Sequence, residues 1–197
     1  MKRPRHDRRI PYAINYNPQY NDRYYEELDI CIRGLKRMLN DVTKLHPPNS
    51  DRNIIIFDID DTLFHSDKEI IEPIPEMIDI FRKLRDRGYV VSLITARRER
   101  SRAETIELLN SHGVVGYTDL HFKPDRVHGE ERECHCHNKE RARKMVEQRH
   151  KRGILLNIGD QHTDLTGEHY MIGWKMPHKS LSDCRHIGRN AAQTPLH

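Results

Sequence analysis

Residues 54–63 read Ile-Ile-Ile-Phe-Asp-Ile-Asp-Asp-Thr-Leu, so that four apolar side chains lead directly into three carboxylates within four positions. An uninterrupted apolar run rich in β-branched residues predicts a strand that is buried on both faces, as in a parallel sheet. Open α/β sheets bind their ligands at the carboxyl ends of the strands. We therefore expect the acidic cluster to face a ligand at that edge of the sheet.

The spacing of these carboxylates suggests a chemistry. Asp58 and Asp60 lie two positions apart on an extended segment, with Ile59 between them pointing into the core. One carboxylate can attack phosphorus to form an aspartyl-phosphate, and the other can protonate the leaving oxygen and then activate water. Carboxylates this close repel one another unless a proton or a cation joins them, and oxygen ligands of this kind suit Mg²⁺. The alternative is an acidic turn in which Asp61 or Thr62 caps the next element.

The totals describe a polar globular chain. It has 197 residues, of which 32% are charged and 36% hydrophobic, with a formal charge of +4. This length accommodates one domain with a core and a small appendage. No apolar run approaches the ~20 residues of a membrane span, and the basic N-terminus lacks the apolar segment of a secretory signal. Four cysteines predict no disulfide framework, so that an intracellular, cytoplasmic location without membrane association is expected.

The sequence pattern divides the chain into a basic extended arm, an amphipathic helical segment, a core domain and a polar C-terminal tail, at residues 1–19, 20–48, 49–180 and 181–197. The first nine residues carry five basic groups against one Asp, which is typical of segments that contact polyanions such as nucleic acid or that only aid solubility. Helical periodicity runs through residues 20–45. This helix is expected to lie on the core domain or to bind a partner, including a second copy of the chain in an oligomer.

Strand and helix patterns alternate through the core domain. Buried strands are predicted at about 53–58, 89–94, 119–122 and 153–158, with a last short strand at about 170–174. Helices are predicted at about 75–88, 99–112 and 138–151. This alternation predicts an α/β fold with one doubly wound parallel sheet and helices on both faces.

Cysteine and histidine alternate in the stretch Cys134-His135-Cys136-His137. Such residues can bind a soft metal, but structural zinc ligands usually come as pairs from two separate elements. Cys184 and His186 are the distant candidates for a second pair. The stretch is therefore either a metal site or a solvated loop.

Four pieces of sequence stand in one order, each at or near the carboxyl end of a predicted strand: Asp58-Ile59-Asp60-Asp61-Thr62, Thr95-Ala96-Arg97, Lys139, and Gly159-Asp160 with Asp164. In this combination the chain resembles the haloacid dehalogenase superfamily of phosphotransferases over about residues 53–178. The chain is further similar to the acid phosphatase branch, subfamily IIIB, of the class B bacterial and plant storage-protein type. Besides the first motif, the phrases that carry this similarity are Ile94-Thr95-Ala96-Arg97 followed by Arg102 and Thr105, Gly159-Asp160-Gln161, Asp164-Leu165 and Trp174-Lys175-Met176-Pro177. The resemblance implies the Rossmann-like fold of that superfamily.

The resemblance also implies catalytic roles. Asp58 would be the nucleophile and Asp60 the general acid and base. Thr95 would hydrogen-bond the phosphoryl oxygens, and Lys139 would neutralise charge on the nucleophile and on the substrate phosphate. Lys123, at the end of the third strand, is the rival for the lysine role. Such a set suits phosphoryl transfer, which depends on positioning and on positive charge around the equatorial oxygens.

Mg²⁺ is the implied cofactor. The resemblance assigns its ligands to Asp58, Asp160 and the backbone carbonyl of Asp60, with Asp164 supporting that site or orienting the lysine. Arg97 would contact substrate or only pair with a surface acid. The implied activity is that of a Mg²⁺-dependent phosphomonoesterase, acting on a phosphorylated small molecule, a nucleotide or a larger polyanion.

Two other functions remain open on the same fold. One is a phosphatase of nucleotides or nucleic-acid ends, and the other is a non-catalytic binding or storage protein. The presence of both Asp58 and Asp60 argues against the non-catalytic reading.

Cap domains in this superfamily are inserted either after the first motif or between the second and third. The gap from Leu63 to Pro75 is too short for a domain, and the gap from Arg97 to Lys139 leaves about fourteen residues beyond one helix and one strand. No large cap domain is therefore expected.

Overall fold

The computed structural model describes residues 22–66, 71–125 and 135–178. Four helices are present in this part of the chain: α1 Asp22–Leu45, α2 Pro75–Asp86, α3 Arg102–Ser111 and α4 His135–His150. The strands are β1 Arg52–Phe57, β2 Phe64–Ser66, β3 Ile71–Pro73, β4 Val90–Arg98, β5 Asp119–Lys123, β6 Gly153–Gly159 and β7 Ile172–Lys175. Short 3₁₀ turns occupy Glu99–Ser101 and His162–Asp164.

Five strands form one parallel sheet in the order β5-β4-β1-β6-β7. The chain first moves outward from β1 through β4 to β5, and it then returns to the other side of β1 to add β6 and β7. The direction of winding therefore reverses between β1 and β6. In open α/β sheets, the crevice outside the carboxyl ends of the strands at such a reversal is where ligands bind.

Helices cover both faces of the sheet, as the sequence predicted. Ile54 and Ile56 of β1 pack with Ala142 and Val146 of α4 on one face. Alternate residues of β1 point to the other face, where Phe57 meets Phe81 of α2 with the ring centroids 5.8 Å apart. Since successive side chains of a strand point to opposite faces, the apolar run after Asn53 fills two cores at once.

Helix α1 lies on the same face of the sheet as α2. Its apolar side is buried in the core of that face: Tyr24, Tyr25, Leu28, Ile32, Leu35 and Leu39. The Tyr89 hydroxyl donates to the carbonyl of His46 at 2.6 Å, just after the end of the helix. A Cβ at Gly34 would lie 3.2 Å from the Trp174 ring, so glycine lets the helix approach β7 closely. Helix α1 thus shares the core of the sheet. The division of the chain into separate segments at residue 49 stays a prediction.

The interval between Leu63 and Pro75 contains a feature that the sequence analysis did not predict. Strands β2 and β3 pair antiparallel, with Phe64 opposite Pro73 and Ser66 opposite Ile71. Strands of three residues are too short to show a periodic pattern. The described residues of the later interval form α3 and β5, as expected.

Several predicted features lie outside the described residues: the basic arm at 1–19, the tail at 181–197, Cys134, Cys184 and His186. His137, in the first turn of α4, is described and is exposed. Within the described ranges, no helix combines the length and the apolar character that crossing a membrane requires.

The packing of α1 can be tested with two substitutions on the same helix. Leu35 is fully buried, whereas Ile30 is 62% exposed. We expect Leu35→Ala to lower the free energy of unfolding by roughly 2–5 kcal/mol, since it leaves a cavity between helix and sheet. Ile30→Ala should change it by less than about 0.5 kcal/mol. Urea denaturation of both variants measures this, and equal effects would show that α1 is not part of the folded core.

Candidate active site

The central strands β1 and β6 each deliver an aspartate to the crevice. The N–H of Asp58 donates to the carbonyl of Ile158 at 2.9 Å, which continues the pairing of the two strands by one residue. The chain then turns at Asp61, which has a φ of 51°, and its N–H donates to the carbonyl of Phe64 at 2.6 Å. Asp58 and Asp160, the residues that follow the two strands, are both buried. The topology alone therefore places these two carboxylates side by side.

Lys139 lies between two carboxylates. Its Nζ donates to Asp58 Oδ1 at 2.9 Å and also to Asp164 Oδ1. The lysine side chain is only 4% exposed. Burial alone would lower the pKa of Lys139, but the charges of Asp58 and Asp164 outweigh it and raise the pKa above its ordinary value. The predicted motif lysine is thus in direct contact with the predicted nucleophile; Lys123, its rival, is buried at the end of β5.

Three carboxylates converge beside this lysine. One oxygen from each of Asp58, Asp160 and Asp164 lies within 4.8 Å of the others. Burial raises the pKa of Asp58 to about 8, against the lowering effect of Lys139. Burial, followed by the charges of Asp58 and Asp164, raises the pKa of Asp160 to about 9. Such shifts express the free-energy cost of keeping like charges together away from water.

The group fits a divalent cation. Among the described residues, neither carboxylate oxygen of Asp160 has a hydrogen-bond partner, although the residue is only 1% exposed. When ionised, the three carboxylates carry three negative charges against the single positive charge of Lys139. A buried charge needs a partner, and a set of oxygen donors prefers a hard cation such as Mg²⁺. The residues present are therefore suited to hold Mg²⁺.

The side chain of Asp60 points elsewhere. Its carboxylate accepts three hydrogen bonds from Arg97, with Nη2 at 2.6 Å from Oδ1 and Nε at 3.0 Å from Oδ2, and a further one from the Ser66 hydroxyl. Burial by itself would raise the pKa of Asp60, but the hydrogen bonds and charge of Arg97 lower it. The sequence left open whether Arg97 meets substrate or a surface acid. In the structure Arg97 pairs with Asp60, whose side chain is 30% exposed, and contact of Arg97 with substrate stays a prediction.

Thr95 lies in the second half of β4, two residues beyond Leu93, which pairs with Phe57 of β1, and it is buried. Its Oγ1 accepts the N–H of Arg97 at 3.1 Å. This bond connects Thr95 to the residue that holds Asp60.

Ser66 is a site residue that the sequence reasoning missed. Besides its hydroxyl bond to Asp60, its N–H donates to Asp61 Oδ1 at 3.0 Å. Ser66 lies on the β2–β3 hairpin, which no sequence pattern predicted, so its contact with Asp60 was not predicted either.

Arg143 is a second residue that the sequence reasoning missed. It is 1% exposed and donates to three backbone carbonyls, those of Asp164 at 2.9 Å, Glu168 at 3.1 Å and Thr166. Asn157 also donates to the Asp164 carbonyl, at 2.6 Å. Arg143 follows Lys139 by four positions, so both lie on one face of α4. This spacing was the sequence feature that could have indicated Arg143. Through these contacts, the helix face that carries Lys139 also holds the loop that carries Asp164.

Gly159 has to be glycine for a local reason. A Cβ there would come within 2.3 Å of the Asp164 side chain. The N–H of Gln161 donates to Asp164 Oδ2 at 2.8 Å, so Asp164 folds back over the end of β6. The Gly-Asp pair in the sequence thus reflects the close approach of Asp164.

Helix α1 also reaches the site, although the sequence pattern showed no connection between this helix and the acidic motifs. The hydroxyl of Tyr24, in the first turn of α1, lies 3.2 Å from Nδ1 of His65. Burial, followed by the charges of Asp61 and Asp160, raises the pKa of Tyr24. At the other side, the imidazole of His178 places Nε2 at 3.5 Å from Asp160 Oδ2. Both ends of the described chain therefore border the acidic crevice.

A parallel sheet that gathers buried carboxylates and a lysine at the ends of its central strands suits a protein that handles phosphate groups. Residues 64–182 match the family described as HAD superfamily, subfamily IIIB (Acid phosphatase), and the chain belongs to this family of phosphatases. The matched segment begins just after the first acidic motif, so the recognition of the family and the geometry of Asp58 are separate observations.

Comparison with individual proteins gives more distant relatives. The uncharacterized protein At2g39920 of Arabidopsis thaliana is 30% identical over 106 residues, which span 49% of this chain and 36% of that protein. The chain thus covers little more than a third of the length of this curated relative.

Two solved structures have a similar overall arrangement. The D,D-heptose 1.7-bisphosphate phosphatase from B. bronchiseptica complexed with magnesium and phosphate has a TM-score of 0.44 and 16% identity, covering 57% of this chain and 73% of that chain. A chain in the structure of the Pnkp1/Rnl/Hen1 complex has a TM-score of 0.45 and 12% identity, covering 63% and 47%. These likenesses are too remote to identify a substrate.

Binding of Mg²⁺ to the carboxylate group can be tested without measuring activity. We expect Mg²⁺ to raise the thermal midpoint of the native protein, by an amount that corresponds to about 2.7 kcal/mol at a hundred times Kd. Asp160→Asn should abolish this increase. Its metal-free midpoint should equal or exceed that of the native protein, because the amide removes a buried charge at nearly constant shape.

Asp79→Asn is the matched control, since the Asp79 side chain is 59% exposed on α2. This variant should keep the full response to Mg²⁺. An unchanged response in Asp160→Asn would remove Asp160 from the metal site.

Proposed function

We propose that the chain is a Mg²⁺-dependent phosphomonoesterase that forms an aspartyl-phosphate on Asp58. The observation that carries the proposal is the contact of Asp58 with Lys139 inside a buried group of three carboxylates. A binding or storage protein would have no use for this costly arrangement, since buried like charges destabilise a fold unless a ligand joins them. Membership of the phosphatase family supports the same reaction.

The first chemical step is attack on phosphorus by the Asp58 carboxylate. Lys139 holds Oδ1 of Asp58 at 2.9 Å, which fixes the carboxylate and leaves its other oxygen to form the new O–P bond. The bond from phosphorus to the leaving oxygen breaks, and Asp60 in its protonated form gives that oxygen a proton. Thr95 would donate its hydroxyl proton to a phosphoryl oxygen.

The second step returns Asp58 to its starting state. Asp60, now a carboxylate, takes a proton from water, and the water oxygen attacks phosphorus. The bond between phosphorus and Asp58 breaks, and inorganic phosphate leaves. Mg²⁺, when bound, supplies positive charge that offsets the charge on the phosphoryl oxygens. Asp58, Asp160 and the backbone carbonyl of Asp60 would hold it, with Asp164 orienting Lys139.

Arg97 connects substrate binding to the state of Asp60. The guanidinium keeps Asp60 ionised in the substrate-free protein, and an ionised carboxylate cannot donate a proton. An anionic substrate competes with Asp60 for Arg97, because guanidinium groups bind phosphate as readily as carboxylate. Arrival of a phosphate group would thereby withdraw the cation that keeps Asp60 ionised, so that Asp60 would take up a proton from solvent and then act as the acid.

The nucleophile can be tested by Asp58→Asn. The amide cannot attack phosphorus but nearly preserves the shape of the side chain, so turnover of p-nitrophenyl phosphate with Mg²⁺ should fall by at least about 10³-fold. The circular dichroism spectrum should stay unchanged. Asp51→Asn, at an exposed carboxylate near β1, should keep normal turnover.

A near-normal rate for Asp58→Asn would contradict the assignment. Chelation of divalent cations should remove the activity of the native protein, and added Mg²⁺ should restore it.

The residues around the crevice support a proposal for the class of substrate. Between the motifs, the described residues form the short β2–β3 hairpin, α3 and β5, and none of these is a separate folded cap. Basic side chains border the crevice at Arg97 and at Arg98, whose Nη1 donates to the Pro124 carbonyl at 3.1 Å. An open, basic rim favours phosphate esters with large leaving groups, including nucleotides and phosphorylated nucleic-acid ends.

A comparison of leaving groups tests this access. We expect kcat/KM for p-nitrophenyl phosphate, a mononucleotide and a 5′-phosphorylated oligonucleotide to agree within roughly a factor of ten, because attack on an exposed phosphate does not depend on enclosing the rest of the ester. Selectivity for one compact metabolite, with the oligonucleotide excluded, would show that some part of the molecule closes over the site.

A further inference from the structure

Asp160 belongs to two groups of possible metal ligands. One is the group with Asp58 and Asp164 described above. The other contains Asp61 and His178, and one ligand atom of each of these residues lies within 4.8 Å of the others and of Asp160. Asp61 comes from the turn after β1, Asp160 from the end of β6 and His178 from the segment after β7. Three separate elements therefore meet at this second group.

The second group differs from the first in its donor chemistry. The first offers carboxylate oxygens alone, whereas the second adds an imidazole nitrogen. Carboxylates suit Mg²⁺, but imidazole favours cations such as Zn²⁺ and Co²⁺. The two groups therefore select different cations although they share one residue.

We propose that Asp61, Asp160 and His178 form a second divalent-cation position, which takes Zn²⁺, Co²⁺ or a similar cation beside the Mg²⁺ site. The observation that points to a ligand is Asp160 itself: both of its oxygens lack a hydrogen-bond partner among the described residues, and the residue is 1% exposed. A carboxylate has two oxygens, so Asp160 can serve both positions, as shared carboxylates do in two-metal sites.

The separations in the second group are close to those of a bound ion. Two donors bound at about 2.1 Å in tetrahedral geometry lie about 3.4 Å apart. The three ligand atoms lie within 4.8 Å of one another, so no pair has to close by more than about 1.4 Å. His178 Nε2 is already 3.5 Å from Asp160 Oδ2. The segment that carries His178 is held in place, because Lys175 Nζ donates to the backbone carbonyls of Asp160 and Met176.

A simpler arrangement is an ion pair between Asp160 and a protonated His178. That arrangement uses the same two residues but binds no second metal. The proposal depends on the proposed function only through Asp160, and the test reads metal binding instead of phosphatase activity. Failure of the second position would therefore leave the first site and its reaction untouched.

The experiment first adds saturating Mg²⁺ to the metal-free full chain, so that the first group is occupied. Co²⁺ is then titrated in, and its binding is measured by visible absorption. The native protein should develop a Co²⁺ spectrum. His178→Ala should weaken this binding at least tenfold, and His162→Ala, at an exposed histidine of the nearby 3₁₀ turn, should not change it. Asp61→Asn is the second variant, since its amide oxygen can still accept the N–H of Ser66 while the charged donor is lost.

A parallel set of thermal shifts with Mg²⁺ separates the two positions. Asp58→Asn should lose the response to Mg²⁺ and keep the Co²⁺ spectrum, whereas His178→Ala should keep the response to Mg²⁺. Co²⁺ bound by the stretch from Cys134 to His137 would still be bound in His178→Ala. The second position is therefore measured by the difference in Co²⁺ absorbance between the native protein and His178→Ala. Equal Co²⁺ binding by the native protein and His178→Ala, or loss of the Co²⁺ spectrum in saturating Mg²⁺, would overturn the second position.

Discussion

Three carboxylates buried within 4.8 Å of one another repel, and the chain has to supply positive charge at that point in order to fold around them. Lys139 supplies part of this positive charge, and its position determines how α4 and the loop that carries Asp164 are placed. Because Lys139 must reach Asp58 and Asp164 from α4, that helix has to pack on its face of the sheet with its first turns near the carboxyl ends of β1 and β6. Arg143 lies on the same face of α4 as Lys139 and anchors the backbone of the loop that carries Asp164. One face of α4 thus sets the position of the Lys139 ammonium group and of the loop that carries its partner Asp164.

Asp58 and Asp60 of the first motif have different surroundings. Asp58 lies among carboxylates, and burial raises its pKa to about 8, whereas Asp60 lies against Arg97, which lowers its pKa. Carboxylates with opposite shifts are how one site provides two different roles. A bound divalent cation would restore Asp58 to its ionised form, since an opposite charge nearby favours ionisation. Under the proposed function, the ionisation of Asp58 would therefore depend on the cation.

The sequence was most informative where one strong pattern decides the structure. The apolar run from Ile54 predicts a two-sided buried strand, and α1 was expected at 20–45 and begins at Asp22. The sequence pattern did not predict contacts between positions that are far apart in the chain. The hairpin that presents Ser66 is too short to have a period, and the pairing of Arg97 with Asp60 joins residues 37 positions apart. Arg143 binds backbone carbonyls, and its spacing of four positions from Lys139 was the one sequence feature that could have indicated it. The roles of Asp58, Thr95 and Asp160 are still inferred from motif and geometry.

The structure also changes how the N-terminal part of the chain is understood. The family match begins at residue 64, and by pattern α1 is only an amphipathic appendage. Yet Tyr24 of α1 contacts His65, the adjacent Ser66 binds Asp60, and Asp60 is held by Arg97. Since these contacts follow one another without a break, α1 is connected to the Asp60 carboxylate through the β2–β3 hairpin. The residues that surround this carboxylate therefore include a helix that lies before the segment that identifies the family.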